Sequence, residues 1–278
     1  MSAPPGSDPR GRLIVCPTPI GNLEDITLRV LAALREADLV ACEDTRRTRV
    51  LLERYGVSAT LVSYHEHNEV ERSAALVRRM HRGETVALVS DAGMPLVSDP
   101  GFVLVRACVA AGLAVEVLPG PSAALAALVA SALPADRWRF AGFLPRKQSE
   151  LQATLAGTDT LVAFESPRRL AASLQTLAAL DPDRPVAVCR ELTKLHEEVV
   201  RGTATELAAR FSDTPARGEV VLVVGPAPAA GTQDIAPGVQ AVRRLVEAGA
   251  RPRVAATVVG ELTGTGANAL YRALMNES

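Results

Sequence analysis

Lysine is almost missing from this sequence. Of 30 basic residues only Lys147 and Lys194 are lysines and the rest are arginines, so a lysine acting as base or nucleophile has two candidates. Aromatic residues make up 3% of the chain, and its longest apolar stretches, such as residues 103–109, fall far short of a bilayer-spanning helix. No membrane partner is expected. Cys16, Cys42, Cys108 and Cys189 form no CxxC pair and each lies in an apolar run, which speaks against zinc or dithiol redox chemistry. Buried thiols in a reducing, cytoplasmic setting are expected instead. Net charge is −1, which excludes a chain that coats nucleic acid indiscriminately. Residues 1–11 lack the apolar core of a secretory signal and read as a flexible tail.

What is present is a globular pattern. Hydrophobic residues amount to 48% and charged residues 22% of 278, enough for two domains with packed cores. Runs rich in β-branched residues predict strands at 12–16, 38–42, 60–64, 85–90 and 114–118, alternating with helices at 27–35, 45–54, 68–81 and 102–111. That alternation predicts a parallel sheet covered on both faces. Pro119-Gly120-Pro121 marks a hinge, with Ser122 capping the following helix. Beyond it, strands are predicted at 139–144, 160–165, 186–191, 197–202 and 220–224, with helices at 149–155, 168–180 and 204–211. The close succession of 186–191 and 197–202 implies antiparallel pairing, hence a mixed sheet. The expected organisation is an N-terminal α/β domain at 12–119, a second α/β domain at 122–225, a Pro/Ala/Gly linker at 226–237 and a helical segment at 238–278.

In open α/β sheets ligands bind beyond the carboxyl ends of strands. Two loops there carry unusual residues. Pro17-Thr18-Pro19-Ile20-Gly21-Asn22 follows the first strand and is not GxGxxG, so a dinucleotide fingerprint is missing where one belongs. The string Gly264-Thr265-Gly266-Ala267-Asn268-Ala269 follows a helix and has no room for a βαβ unit; it reads as a helix–helix turn. The segment Ser90-Asp91-Ala92-Gly93-Met94-Pro95 continues to Gly101, longer than the ~2–6 residues of a purely connecting βα loop. Its carboxylates, glycines and serines favour a ligand site over a structural turn.

Other strand ends carry charge. Glu43-Asp44-Thr45-Arg46 offers acid/base groups or simply a helix cap with solvated charges. His65-Glu66-His67 has no third ligand cluster, and no metal is expected. Arg146-Lys147, Glu165 with Arg168, and Arg190-Glu191 all follow apolar strands, and basic strand ends lining one cleft would give phosphate contacts.

Taken together, LIVCPTPIGNLEDITLRVL, EDTRRTRVLL, SYHEHNE, ALVSDAGMPLVSDPG, VEVLPGPSA, FESPRR and CRELTK resemble the 16S ribosomal RNA cytidine 2′-O-methyltransferase family, small-subunit methyltransferase I, of the tetrapyrrole methylase-like class. The similarity spans residues 12–225 and weakens in the C-terminal helices. The resemblance implies two α/β domains of tetrapyrrole methylase type, S-adenosylmethionine in the cleft between them, a homodimer, and a cytidine in the decoding region of 16S RNA within the small ribosomal subunit as substrate, with no DNA partner. By that match Pro19, Ile20, Gly21, Asp91, Gly93, Met94, Ser122, Ala123 and Phe164 are the expected cofactor contacts. Arg46, Arg146, Lys147, Arg168 and Arg190 are the expected RNA contacts. A base for the ribose hydroxyl would come from Glu43, Asp44, Glu165 or Glu191, among which the sequence does not choose. The rivals are a methylase of a small tetrapyrrole-like molecule and a non-catalytic RNA-binding factor.

Overall fold

The computed structural model describes residues 11–227, 235–263 and 267–276. Five parallel strands form the first sheet: β1 (Arg12–Cys16), β2 (Leu39–Cys42), β3 (Leu61–Ser63), β4 (Val86–Val89) and β5 (Ala114–Val117), in the order β3-β2-β4-β1-β5. Nearly every residue of β1, β2 and β4 is buried, as a sheet covered on both faces requires. Helices α1 (Leu28–Glu36) and α2 (Thr45–Arg54) place Val30, Leu34, Leu51 and Leu52 on one face, against Ile14, Cys16 and Val40. On the other face, α3 (Glu69–Met80) and α4 (Phe102–Ala110) set Leu76, Met80, Leu104 and Cys108 against Leu13, Val15 and Leu88. The Thr27 hydroxyl starts α1 by accepting the Val30 N–H at 3.1 Å.

Strand order fixes where a ligand can sit. The chain leaves β1 past β4 to reach β2, and leaves β4 past β1 to reach β5. These opposed departures open a crevice beyond the carboxyl ends of β1 and β4, where the two unusual loops emerge.

The second sheet is mixed, in the order β6-β7-β10-β8-β9. Its strands are β6 (Trp138–Phe143), β7 (Thr160–Glu165), β8 (Pro185–Arg190), β9 (Glu198–Thr203) and β10 (Val220–Val224). β6 and β7 are parallel, β10 runs antiparallel to both β7 and β8, and β8 and β9 form the expected hairpin. Side chains alternate between faces. Leu161, Ala163, Val188 and Leu222 meet α6 (Gln148–Leu155), α7 (Leu170–Leu180) and α8 (Ala204–Asp213). Val162, Ala187, Cys189 and Val223 meet α5 (Ala123–Ser131), which follows Pro119-Gly120-Pro121.

Helices α9 (Ile235–Glu247), α10 (Pro252–Thr263) and α11 (Ala267–Asn276) share a small core of their own, including Val242, Ala256 and Leu270. Two expected boundaries shift. Helix α9 begins inside the stretch assigned to the linker, because Pro237 falls in its first turn, where the missing N–H has no intrahelical partner to lose. Gly11, expected in the tail, is buried and donates its N–H to the Met80 carbonyl at 2.7 Å. Residues 1–10 and 264–266 lie outside the described residues. No helix among the described residues is long and apolar enough to cross a membrane.

Candidate active site

The loops after β1 and β4 are joined by backbone. Thr18 N–H donates to the Gly93 carbonyl at 2.8 Å and Gly93 N–H to the Thr18 carbonyl at 3.0 Å. The Thr18 hydroxyl adds a bond to the Ser90 carbonyl at 3.0 Å, and the Ser90 hydroxyl one to the Gly93 carbonyl at 3.0 Å. Four bonds among three residues make a preformed floor rather than a pliant loop.

The second sheet presents the carboxyl ends of β6, β7 and β8 to this floor. Between them lies a cavity of about 420 Å³, within the range of small-molecule sites. Ile20, Gly93, Met94, Ser122 and Ala123 line it from one side, and Phe143, Phe164, Glu165 and Leu192 from the other. Six of the expected cofactor contacts, Ile20, Gly93, Met94, Ser122, Ala123 and Phe164, are thus brought together from four separate segments. Ser122 also caps α5, its hydroxyl accepting the Leu125 N–H at 3.4 Å.

Pro19, Gly21 and Asp91 do not line this cavity. They face a neighbouring one of about 390 Å³ together with Arg47 and Lys194, and Ile20 and Ala92 separate the two. Asp91 turns toward β2: its carboxylate accepts the Asp44 N–H at 3.0 Å and stands 3.4 Å from Arg47. At Gly21 the missing side chain admits protein. A Cβ there would lie 2.5 Å from Lys194 Cγ and 2.7 Å from Thr193 Oγ1, so the β8–β9 turn docks directly on the β1 loop. The neighbouring Asn22 N–H donates to Thr193 Oγ1 at 3.0 Å, tying the two sheets together beside the cavity.

Phe164 packs edge-to-face against Phe140 and Phe143, with centroids 5.1 Å and 5.5 Å away. The β6–β7 register shifts between Phe140 and Phe143, where Gly142 has φ +63°. That left-handed residue turns Phe143 to the cavity rim, 62% exposed.

Among the four carboxylates expected to include a base, three are already engaged. Asp44 caps α2 through the Arg46 N–H at 2.8 Å and is gripped by the Arg46 guanidinium at 2.9 Å, which together hold its carboxyl down at about 2. Glu165 is buried; it accepts the Ser173 hydroxyl at 2.5 Å and the Ser166 N–H at 2.8 Å, with Arg169 at 3.4 Å. Glu191 accepts the Glu219 N–H at 2.8 Å and Lys194 Nζ at 2.9 Å, and both keep its carboxyl below the usual range. Glu43 differs. Burial, and then the nearby Asp91 and Glu66, push its carboxyl upward, but it lines neither cavity.

Asp99 lies in the loop expected to hold a ligand but is not among the expected cofactor contacts or bases. It lines the larger cavity, and burial followed by the charges of Glu43 and Asp91 pushes its carboxyl up to about 7. A perturbed carboxyl in a cleft marks a functional site. Its signal in the sequence was its place in the long loop, one strand removed from Glu43.

The expected RNA contacts divide similarly. Arg190 is spent on Glu198 at 2.6 Å and the Arg217 carbonyl at 3.3 Å, and Arg46 on Asp44. Lys147 is 72% exposed beside Glu150, while Lys194 is 28% exposed between Glu191 and Glu219. Arg146 and Arg168 are exposed, just beyond the cavity-lining ends of β6 and β7, and have no ion pair among the described residues. Elsewhere, Asn68 bonds the backbone and ring of His65, at 2.9 Å and 3.2 Å, in a tight turn before α3. Burial raises all four thiols, Cys16 to about 12, which leaves them inert.

Residues 12–208 match the model of the tetrapyrrole (corrin/porphyrin) methylases. The chain is 48% identical to ribosomal RNA small subunit methyltransferase I of Mesorhizobium japonicum, over 95% of this chain and 91% of that one. Identity to the same-named protein of Escherichia coli O157:H7 is 42%, over 95% and 94% of the two chains. Among solved structures, uroporphyrin-III-C-methyltransferase from Thermus thermophilus superposes with a TM-score of 0.58 at 25% identity, over 78% of this chain and 94% of that chain. A structure of uroporphyrin-III C-methyltransferase from the same organism complexed with S-adenyl homocysteine shares the fold, with a TM-score of 0.56 at 22% identity over 77% and 97%. The chain therefore belongs to the tetrapyrrole (corrin/porphyrin) methylase family and, within it, to the ribosomal RNA small subunit methyltransferase I group.

Proposed function

We propose that this chain is an S-adenosylmethionine-dependent methyltransferase acting on the 2′-oxygen of a cytidine ribose in the decoding region of 16S ribosomal RNA. The observation that carries this is the cavity of about 420 Å³ between the loops after β1 and β4 and the carboxyl ends of β6, β7 and β8. Its residues suit the cofactor. Ile20, Met94 and Phe164 offer apolar surface to a nucleoside and thioether chain, while the Ser122 hydroxyl and the Ala123 backbone offer polar contacts. When bound, the cofactor supplies an electrophilic methyl carbon. The chain holds the acceptor in line with that carbon, and the Thr18–Gly93 floor gives the rigidity such positioning needs. Arg146 and Arg168 are placed to take phosphates beside the reacting nucleotide, with Arg46 and Lys147 further out.

A second copy of the chain fits the exposed edge strand β5, where Val117 is 58% exposed, beside α4 with Phe102 64% and Val109 65% exposed. A cytoplasmic setting is part of this proposal; a ribosomal substrate and four buried free thiols support it.

The test supplies labelled methyl donor with 30S subunits, free 16S RNA and tetrapyrrole precursors in parallel. Label in a ribose 2′-O-methylcytidine of the RNA is expected; label in no RNA overturns the proposal.

A further inference from the structure

Among the described phenylalanines, tyrosines and tryptophans, only Phe102, Trp138 and Phe143 are exposed, and of these Phe143 alone lines either cavity. Its placement is built into the backbone. Residues 140 and 143 are an odd number apart and would face opposite sides of an unbroken strand. The register shift between them brings both rings onto Phe164 instead. Left-handed Gly142 makes that shift possible and packs against the loop after β4, where a Cβ on it would meet Ser98 Oγ at 3.4 Å. On the other side Leu144 is sunk in the core of the second sheet. The apolar wall of the cavity therefore grades outward, from buried Ile20 through half-buried Phe164 to Phe143 at the rim.

Resting on the methyltransferase activity proposed above, we propose that Phe143 is the platform on which a nucleobase of the acceptor RNA stacks at the mouth of the cavity. Arg146 and Arg168 hold the phosphates on either side of that base. Phe143 and Phe164 are register partners in the β6–β7 pair, so the two arginines leave from adjacent strand ends. Both are exposed, and neither has an ion pair among the described residues. A ring face between two unpaired cations matches a nucleotide, whose flat base is flanked by phosphates. It suits an apolar peptide or a second copy of the chain poorly, because either would bury those cations without partners.

Stacking of this kind selects the form of the RNA. A base inside a helix has neighbours on both faces, whereas a splayed, single-stranded one offers a face to an aromatic side chain. Only such a nucleotide can also turn its ribose inward, toward the floor made by Thr18 and Gly93. Every base has a ring face, so Phe143 favours unstacked RNA without reading its sequence. The contact is the same before and during methyl transfer, and it therefore acts on substrate affinity rather than on the limiting rate.

The experiment is single-turnover methylation at varied 30S subunit concentration and salt by the full-length protein, with cofactor affinity measured separately by calorimetry. Phe143→Leu keeps apolar cover over Phe164 but has no ring face. It is expected to raise the half-saturating subunit concentration about 5- to 150-fold, the usual worth of one stacked base. Its limiting rate and cofactor affinity should stay within about threefold of the unaltered protein, and Phe143→Tyr should restore subunit affinity. The slope of log affinity against log salt should be unchanged in Phe143→Leu, whereas Arg146→Ala should flatten it by about 0.7, one phosphate contact on a single strand. Subunit affinity in Phe143→Leu within about twofold of the unaltered protein overturns the proposal while leaving the activity standing. So does a loss in that variant confined to cofactor affinity, which would make the ring a cover for the cofactor. If Phe143→Leu does not fold, failure of Phe143→Tyr to hold subunit affinity within about threefold overturns it equally. No methylation of RNA by the unaltered protein overturns the activity and the role of Phe143 together.

Discussion

The two sheets meet at the same end and treat their carboxylates in opposite ways. At the ends of β2 and β4, and in the loop beyond, burial and then the charge of Asp91 push the Glu43 carboxyl up, and burial and then the charges of Glu43 and Asp91 push up that of Asp99, with Arg47 at 3.4 Å from Asp91. At the ends of β7, β8 and β9, Glu165, Glu191 and Glu198 are each neutralised: by Arg169 and Ser173, by Lys194, and by Arg190 and Arg210. The cause is partly topological. A parallel sheet delivers several strand-end loops to one crevice, whereas in the mixed sheet the β8–β9 hairpin and the turn into α7 bring partners within a few residues. The second sheet is a settled wall, and the first keeps a conflict that chemistry can use.

The largest expected break in this contrast comes from unsettling the settled side. Glu165→Ala leaves Arg169 and Ser173 facing an empty buried position and should cost about 3–5 kcal/mol of stability in urea unfolding. A loss under about 1 kcal/mol would mean the wall does not depend on this hub. Gly21→Val drives a branched side chain into Thr193 and Lys194 and should cost about 1–3 kcal/mol, with weakened cofactor binding as the β8–β9 turn lifts. On the conflicted side the sign reverses. Between the ordinary value of 3.8 and about 7, folded Asp99 holds a proton that the unfolded chain has released, so stability falls as pH rises through that window. Asp99→Asn escapes this loss. Its advantage in melting temperature should be absent near pH 3.8 and full above about 7, on the order of 1 kcal/mol once solvent screening is allowed for. Smallest is Arg210→Ala, which removes an exposed partner of Glu198 and should change stability by less than about 1 kcal/mol.

The same contrast explains what was legible in the sequence. Strands such as Val220–Val224 and Val86–Val89 announce themselves because uninterrupted apolar runs rich in valine suit burial on both faces. The cavity-lining loops were legible because prolines, glycines and a carboxylate crowd the ends of β1 and β4. Side-chain partnerships were not. Nothing in Phe164-Glu165-Ser166 says that Ser173, in the first turn of α7, will take the carboxylate, or that Asp91 will reach back to the Asp44 N–H. Which carboxylate of the loop after β4 faces the cavity was not legible, because the turn presenting Asp99 depends on left-handed Leu96 and Ser98, residue types that do not advertise such a conformation. The Gly21 contact was hidden for a related reason: glycine signals close approach without saying what approaches.

The scarcity of lysine acquires a practical meaning from the setting of its two members. Lys194 is clamped by two carboxylates under the docked turn, whereas Lys147 stands 72% exposed on the far side of the cleft, in the loop leading from Phe143. Between the two, an amine-reactive fluorophore would therefore reach Lys147 in preference to Lys194, giving, beside any label on the α-amino group, an optical handle next to the cleft without introducing any residue.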